Sequence, residues 1–459
     1  MATIAFFQNR LGRTDGVSLE VDKWRRVLQD QLGHRVIYCS GNDDVPGNLV
    51  IPELYAQHPQ TWKILQNASV ALRDYDNEAD LEYDIYQHAD RIEEKLLKLI
   101  KDEKVDLLVP NNLCSGGYQP AAAIAFHRVI RKTGLPAIIH SHDFYFENSG
   151  EVQASCQTVA SVYERYFPPK LPRVQHVFIN CLARDELKRR KNIDGIVVPN
   201  VFDFDQKPWQ VDDWNRDFRS ACGIGKDDLV FLQATRILNR KGVEMAVDTL
   251  ARLQTPGRLS RLAGAQTTAG GCFNRGNRIV LLCAGIVESI GISSDYWHNL
   301  QEHARQLGVE LVYVGDRVRH SRELAPDGTR IYSLWDTYVH ADFVTYPSSW
   351  EGWGNQFVEA VFARLPVLLF EYPVWTSDLG PKGFKVVSLG KDLAGSYANG
   401  LVYAPEHRIE QAADGIVDIL TDVSARKTMV DHNFTIAKSW FSMENLEGFI
   451  VSLLKGAGL

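Results

Sequence analysis

Two glutamates, Glu351 and Glu359, stand eight residues apart in the segment of this sequence that is most informative about function. The preceding run, 343–346, has the apolar pattern of a buried strand, and it stops at Pro347. A glycine-bearing loop follows, and a helix is predicted to begin near Gly354. Free backbone amides and the positive end of a helix bind anions, whereas carboxylates accept hydrogen bonds from hydroxyls such as those of a sugar or a ribose. The segment therefore predicts a site for a ligand that carries both an anionic group and hydroxyls.

A second pair of candidate residues, Arg236 and Lys241, lies where a predicted strand, 229–235, gives way to a predicted helix, 243–253. Two cations fixed at such a place would neutralise a diphosphate. Stabilisation of the charge that develops on a leaving group is usually the largest contribution to catalysis. On these residues alone the alternative, a solvated turn around Arg240, stays open.

The segment from Glu351 to Glu359, with its flanking Ala-Asp, Pro-Ser and Leu-Pro-Val residues, resembles the Glu-x7-Glu signature of retaining glycosyltransferases of family 4. The resemblance covers most of the chain. It implies an α/β protein of two Rossmann-like lobes, the GT-B fold, with a cleft between them. It also implies transfer of a hexose, glucose or mannose, from a nucleotide-diphosphate sugar to an acceptor hydroxyl, with no metal ion required.

By position, the resemblance also assigns roles to residues of the second lobe. Glu359 would hold the ribose hydroxyls of the donor. Arg236 and Lys241 would be catalytic, because they would neutralise the departing diphosphate. The donor sugar would be contacted by the catalytic glutamate and the loop that follows it, which consists of Glu351, Gly352, Trp353 and Gly354.

In the first lobe, His142 ends a predicted strand and resembles the histidine that reaches the donor sugar in related transferases, so it is also a catalytic candidate. A lone histidine in this position is otherwise a structural feature. Gly16 lies in a glycine turn before a helix, where similar enzymes contact phosphate. Asn111 and Asn112 follow another strand and are candidates for acceptor binding, although an ordinary turn also explains them.

Gly315 and Arg317 close the predicted strand 310–314, where related enzymes have a glycine turn at the nucleotide site. The resemblance implies that both contact the donor, with Arg317 near phosphate or base. The chain departs from the family pattern at Arg364, where a small residue is usual, and in the segment 370–375. We therefore expect an unusual specificity for the acceptor or the sugar.

Two other classes of protein compete with this interpretation. A metal-dependent GT-A transferase would need a metal-binding Asp-x-Asp, and the chain offers Asp74 with Asp76 and Asp203 with Asp205, both in loop-like contexts. A non-catalytic nucleotide-sugar binder or a nucleotide-sugar epimerase could share the two-lobed fold. Chelation would test the first alternative, and transfer assays would test the second.

The elements that position these residues alternate between short apolar strands and amphipathic helices, the pattern of a Rossmann-like fold. The segment 201–225 is interpreted as a linker, and the glycine-rich segment 254–278 as a surface insertion. Three regions are predicted: an N-terminal acceptor lobe, a C-terminal donor lobe, and a C-terminal helix that packs back toward the first lobe, with the bounds 1–203, 204–430 and 431–459.

The composition, with 45% hydrophobic and 23% charged residues among 459, is that of a globular protein with more than one domain. A net charge of −7 argues against a nucleic-acid partner. We expect no leader and no membrane span, because no apolar run reaches about 18 residues. The seven cysteines form no CxxC pair, which argues against a zinc site and a disulfide framework. We expect a soluble, cytoplasmic enzyme whose partners are GDP-mannose or UDP-glucose and a small hydroxylated acceptor.

Overall fold

The computed structural model describes residues 1–12, 16–69, 71–147, 152–288 and 295–459. The chain divides into two units, and each is built around a parallel sheet. Unit 1 comprises Met1–Val201 and Phe441–Leu459, and unit 2 comprises Phe202–Trp440. The segment 431–459 is therefore divided between the units at residue 440. A helix runs from Val423 to Phe441 without a break at residue 430.

The sheet of unit 1 has seven parallel strands: β1 (Thr3–Gln8), β2 (Arg35–Ser40), β3 (Leu49–Val50), β4 (Leu107–Pro110), β5 (Ala137–Ser141), β6 (Val174–Phe178) and β7 (Ile196–Val197). Their spatial order is β3-β2-β1-β4-β5-β6-β7. The order reverses between β1 and β4, and ligands of such sheets bind at this switch point, outside the carboxyl ends of the strands.

Helices cover both faces of this sheet: α1 (Gly16–Arg25), α2 (Pro59–Ala68), α3 (Glu78–Glu103), α4 (Pro120–Thr133), α5 (Gln157–Tyr166), α6 (Cys181–Lys191) and the C-terminal helix Met443–Ala457. A π-helical turn, Arg26–Gln31, continues α1, and a 3-10 turn spans Pro52–Leu54. Alternate residues of β1 pack on opposite faces: Phe7 lies against Phe126 of α4, and Phe6 against Trp24 of α1. Burial on both faces explains why β1 has four consecutive apolar residues, Ile4 to Phe7.

Unit 2 has eleven strands within the described ranges: β8 (Leu229–Gln233), β9 (Ile279–Cys283), β10 (Glu310–Tyr313), β11 (Val318–Arg319), β12 (Glu323–Leu324), β13 (Arg330–Ser333), β14 (Phe343–Tyr346), β15 (Val367–Leu369), β16 (Val387–Ser388), β17 (Gly395–Ser396) and β18 (Val402–Tyr403). Six of them form a parallel sheet of order β10-β9-β8-β14-β15-β16. The switch point lies between β8 and β14. The strands β11, β13 and β12 form a small sheet, and β17 pairs with β18.

The helices of unit 2 are α7 (Phe218–Ala221), α8 (Val243–Leu253), α9 (Pro256–Leu262), α10 (Tyr296–Gln306), α11 (Leu334–Tyr338), α12 (Asn355–Phe362), α13 (Glu406–Thr421) and α14 (Val423–Phe441). Shorter helical turns span Asn239–Lys241, Trp375–Leu379 and Gly380–Lys382. Across both units, no helix in the described part of the chain is long and apolar enough to cross a membrane.

The predicted linker, 201–225, connects the last strand of unit 1 to the first strand of unit 2, and it belongs to unit 2 from Phe202 onward. The ring of Phe218 is fully buried. The buried guanidinium of Arg219 pairs with the carboxylate of Asp342 at 2.9 Å, at the start of β14. This polar segment thus contributes buried groups to unit 2, because the charge of Arg219 is paired in the interior.

The predicted surface insertion, 254–278, is also partly structural. It contains α9 and the fully buried residues Leu262 and Phe273. The hydroxyl of Thr268 donates to the carbonyl of Ala341 at 2.8 Å, just before β14. Because the segment is rich in glycine, its helix was not predicted. This helix begins at Pro256, and proline is common at the first position of a helix.

Candidate active site

The loops that follow β8 and β14 meet at the switch point of unit 2. The amide of Ser349 donates to the carbonyl oxygen of Arg240 at 2.9 Å. Gly242 has the left-handed φ of 58°, and a Cβ there would lie 2.5 Å from the carbonyl oxygen of Pro347. Only glycine permits this conformation and this approach without strain. Because β8 and β14 are neighbours in the sheet, the loops bring the predicted basic and acidic residues together.

Lys241 and Glu351 form a buried ion pair in this site. The Lys241 Nζ donates to Oε1 of Glu351, and Nη1 of Arg240 lies 3.2 Å from Oε2 of the same carboxylate. Lys241 is 4% exposed and Glu351 is 7% exposed. Arg240 also donates to the carbonyl of Trp350 at 3.0 Å, and its guanidinium lies 5.3 Å from the centre of that ring. Two cations around one carboxylate leave the cluster with a net positive charge.

Burial and charge have opposite effects on the pKa values of this cluster. Burial raises the pKa of Glu351, but Lys241 and Arg240 outweigh burial and hold this pKa below its ordinary value. Burial lowers the pKa of Lys241 to about 8, against the opposing effect of Glu351. At neutral pH the pair is therefore ionised, while the lysine is close to losing its proton.

Arg236, the other predicted cation, lies on the same loop in a more exposed position. Its guanidinium forms an ion pair with Glu288 on the loop after β9. These two loops run side by side, since the amide of Ile237 donates to the carbonyl of Ile286 at 2.8 Å. The charge of Arg236 contributes to lowering the pKa of Lys241. Both predicted cations thus lie at the same edge of the sheet, within electrostatic reach of each other.

Tyr372 fixes the glycine-bearing loop ahead of α12. Its hydroxyl donates to the carbonyl of Trp353 at 2.6 Å. A Cβ at Gly354 would lie 2.5 Å from that hydroxyl, so this position also requires glycine. Gly352 lies in the bend between Glu351 and Trp353, and the backbone of this loop runs directly into the first turn of α12.

Glu359 lies within α12 and is 9% exposed. The hydroxyl of Tyr338, the last residue of α11, donates to Oε2 of Glu359 at 2.8 Å. Neither Tyr338 nor Tyr372 is predicted from the sequence. The unusual segment 370–375 carried a signal for Tyr372, whereas nothing near Glu359 in the sequence indicates Tyr338.

The other second-lobe candidates, Gly315 and Arg317, have different surroundings in the structure. A Cβ at Gly315 would lie 2.7 Å from the carbonyl oxygen of Gly285, and one at Gly285 would lie 1.7 Å from that of Thr235. The glycines therefore let the carboxyl ends of β8, β9 and β10 approach closely. Arg317 donates to the carbonyl of Ala221 at 3.0 Å, which directs its guanidinium toward the end of α7.

In unit 1 the structure brings His142, Asn111 and Asn112 together at the carboxyl ends of β4 and β5. The Nε2 of His142 lies 3.2 Å from Oδ1 of Asn111. The side-chain oxygen of Asn112 accepts from the amides of His142 and Asp143, at 3.0 and 3.1 Å, and from the hydroxyl of Ser115 at 3.0 Å. Asn112 therefore joins the two strand ends.

His142 is neutral in this setting. Burial, followed by the nearby charge of Lys23, lowers the pKa of His142 to about 3. Because Asn111 presents a carbonyl oxygen, we assign the proton to Nε2. The ring of His140 lies 4.4 Å away. In the described ranges, the ring nitrogens of His140 and the side-chain amide nitrogen of Asn111 are buried and have no hydrogen-bond partner.

Gly16 is the first residue of α1, which follows β1 at the switch point of unit 1. The other residues of the predicted phosphate loop, 13–15, lie outside the described residues.

Two curated proteins are similar to this chain over nearly its whole length. Mannosylglucosylglycerate synthase of Petrotoga mobilis is 37% identical over 96% of this chain and 98% of its own length. The protein of the same name from Thermotoga maritima is 35% identical over 97% of this chain and 98% of its own length. A glycosyltransferase structure from Rickettsia africae matches with a TM-score of 0.61 at 14% identity, over 99% of this chain and 98% of that one. No family model matches the chain.

The two Rossmann-like units have the GT-B architecture, and the protein is a glycosyltransferase that uses a nucleotide sugar. The predicted fold class is thereby confirmed. The chain belongs to the family of the mannosylglucosylglycerate synthases.

The GT-A alternative is not supported by this fold. Of the two Asp-x-Asp segments, Asp74 accepts a hydrogen bond from Asn67 at 2.8 Å, and Asp205 forms an ion pair with Lys438. The epimerase alternative is not supported either, because both relatives are named synthases.

The first prediction concerns the stability of the buried pair. Glu351→Gln removes one partner and leaves the charge of Lys241 without its principal counterion, so we expect a loss of about 3 to 5 kcal/mol in the free energy of unfolding. Glu351→Gln combined with Lys241→Met removes both charges and should regain most of that loss. Urea unfolding of the single and double variants measures both changes.

The matched control is Lys241→Met alone. It should also be destabilising, because the partly exposed Arg240 is then the cation that remains paired with Glu351. If the double variant is as unstable as the sum of the two single variants, the residues do not stabilise each other.

Proposed function

We propose that this protein is itself a mannosylglucosylglycerate synthase, which transfers mannose from GDP-mannose to a hydroxyl of glucosylglycerate. The identity to two proteins of that name, 37% and 35% over nearly the whole chain, carries this proposal. The name describes a mannosyl unit added to glucosylglycerate. Among the donors expected from the sequence, GDP-mannose is thereby favoured over UDP-glucose, and the acceptor is a small molecule that carries both hydroxyls and a carboxylate.

The donor is assigned to the switch point of unit 2. The diphosphate would lie beside Lys241 and Arg236, and the ribose beside Glu359. Supporting this, the cluster around Lys241 has a net positive charge, and the loop after β14 leads into the positive end of α12. The buried carboxylate of Glu351 can accept hydrogen bonds from the hydroxyls of the mannose.

We further propose that transfer proceeds with retention of the anomeric configuration, as in the family 4 enzymes that the Glu-x7-Glu segment resembles. The bond between mannose C1 and the diphosphate oxygen breaks, and its electron pair leaves with the diphosphate. The acceptor oxygen bonds to C1 on the same face, and its proton passes to a departing phosphate oxygen. His142 takes no proton in this scheme, because its low pKa makes it a poor base. Its proposed role, from the histidine that it resembles, is to hydrogen-bond a sugar hydroxyl.

Incubation of the purified protein with GDP-mannose and glucosylglycerate tests the proposed function. We expect a product one hexose heavier than the acceptor by mass spectrometry, and little product with UDP-glucose as donor. A neutral analogue, glucosylglycerol, is the matched acceptor control because a hydroxymethyl group replaces the carboxylate. Transfer from UDP-glucose in preference to GDP-mannose would contradict the proposed donor, and an α-linked product by proton NMR is the outcome that retention requires.

A third prediction is that turnover survives exhaustive treatment with EDTA. The reason is that the side-chain cations and the amino end of α12 would balance the charge of the diphosphate in place of a metal ion. Initial rates before and after chelation, and after addition of Mg²⁺ or Mn²⁺, provide the measurement. A rate that falls in EDTA and recovers with either metal would rule out the metal-independent mechanism.

The fourth prediction concerns Lys241 in the reaction itself. Negative charge grows on the diphosphate as the glycosidic bond breaks, so Lys241→Ala should affect the transition state more than the bound donor. We expect a loss of about a hundredfold or more in kcat/KM, with kcat falling more than donor affinity. Since the lysine loses its charge above its pKa of about 8, the wild-type rate should fall as pH rises through that value.

Lys226→Ala is the control for this variant, because Lys226 is an exposed lysine of the same unit and should keep wild-type rates. A folded Lys241→Ala protein with near-wild-type turnover would show that the diphosphate binds elsewhere.

A further inference from the structure

Tyr338 and Glu359 form a hydrogen bond in the interior of unit 2. The phenolic oxygen donates to Oε2 of the carboxylate at 2.8 Å, and Tyr338 is 1% exposed. Hydrogen bonds from a buried donor to an ionised acceptor are among the stronger ones in proteins. Burial, with the charge of Glu359, raises the pKa of Tyr338 well above its ordinary value, so the phenol keeps its proton and remains the donor.

The position of Tyr338 is set by the short helix α11. Ser333 caps this helix: its hydroxyl accepts from the amide of Asp336 at 3.3 Å, and the Asp336 carboxylate accepts from the amide of Ser333 at 2.8 Å. The same carboxylate also accepts hydrogen bonds from Nε of Arg322 at 3.0 Å and from the side-chain amide of Asn215 at 2.8 Å. A helix held at its first turn by this many bonds presents its last residue in a defined place.

Packing of the ring adds to this restraint. The rings of Trp209 and Tyr338 lie 5.4 Å apart, and Trp209 also packs against Phe362, which lies three residues beyond Glu359. The tyrosine is therefore held through its ring as well as its hydroxyl, and it contacts the same helix that carries the glutamate.

We propose that Tyr338 is a positioning residue of the donor site, which holds Glu359 in the orientation that receives the ribose hydroxyls of the nucleotide. This inference rests on the proposed function, in which Glu359 binds the ribose. A glutamate in a helix has several rotamers, and a hydrogen bond to a fixed phenol restricts them. Binding then requires less ordering of the side chain, and affinity for the ribose rises accordingly.

Tyr338→Phe tests this role, because it removes the hydroxyl and keeps the ring that packs against Trp209. The probes are GDP and 2′,3′-dideoxy-GDP, which differ only in the hydroxyls that Glu359 would bind. By calorimetry, we expect the variant to bind GDP about tenfold more weakly than wild type and to bind the dideoxy compound within about twofold of wild type, given the usual strength of hydrogen bonds to charged groups. The preference for the natural ribose would thus be largely lost.

Steady-state kinetics provide a second readout. The KM for the donor should rise in Tyr338→Phe, whereas kcat at saturating donor should stay within about twofold of wild type, as expected when ground state and transition state lose the same interaction. The matched control is Tyr397→Phe, which removes another phenol-to-carboxylate hydrogen bond of unit 2, to Asp248 at 3.2 Å. This variant should keep the full preference for GDP.

Equal weakening of GDP and dideoxy-GDP by Tyr338→Phe would overturn the inference, because it would indicate a general structural role. An unchanged preference for GDP would overturn it as well. Glu359→Ala, measured in parallel, separates this failure from that of the proposed function. If Glu359→Ala abolishes the preference and Tyr338→Phe does not, only the positioning role is wrong. If Glu359→Ala retains the preference, the assignment of the ribose site fails.

Discussion

A lysine and a glutamate with almost no access to solvent remain ionised in unit 2 because each neutralises the other. Removing either charge from water is costly, and the cost is offset only when the pair is close and well hydrogen-bonded. Lys241 and Glu351 meet this condition because β8 and β14 are adjacent and because Gly242 lets the loop after β8 pass against Pro347. The two side chains are thereby fixed in place by their own pairing, which is the condition that preorganised electrostatic stabilisation requires.

The features that the sequence predicts are those encoded in short stretches of chain. The helix predicted over 243–253 and the strand 343–346 have those bounds in the structure, because a buried strand or an amphipathic helix imposes its own period on neighbouring residues. Lys241 and Glu351 could likewise be singled out, since each lies at a strand end with a glycine close by. That the two form one ion pair could not be predicted, because 110 residues separate them.

The features that the sequence did not predict depend on contacts between residues far apart in the chain. Composition suggested that 254–278 was a surface insertion, but contacts made far along the chain bury part of it, as the hydrogen bond from Thr268 to the carbonyl of Ala341 shows. Tyr338 was missed for a related reason. It lies 21 residues before Glu359, in a helix of five residues, and only the folded arrangement of α11 and α12 brings the phenol to the carboxylate.

The two units differ in the electrostatics of their strand ends, and the difference follows from what surrounds each group. At the strand ends of unit 2, Lys241 and Glu351 are buried as partners of opposite charge, so both are ionised. In unit 1 the buried histidines have no acidic partner in hydrogen-bond contact among the described residues, and burial lowers the pKa values of His140 and His142. A neutral, hydrogen-bonding surface suits sugar hydroxyls, which carry no charge, whereas a cationic one suits a diphosphate. The chemistry that each unit can support is therefore decided by the pairing of its buried charges, although both units use the same parallel sheet.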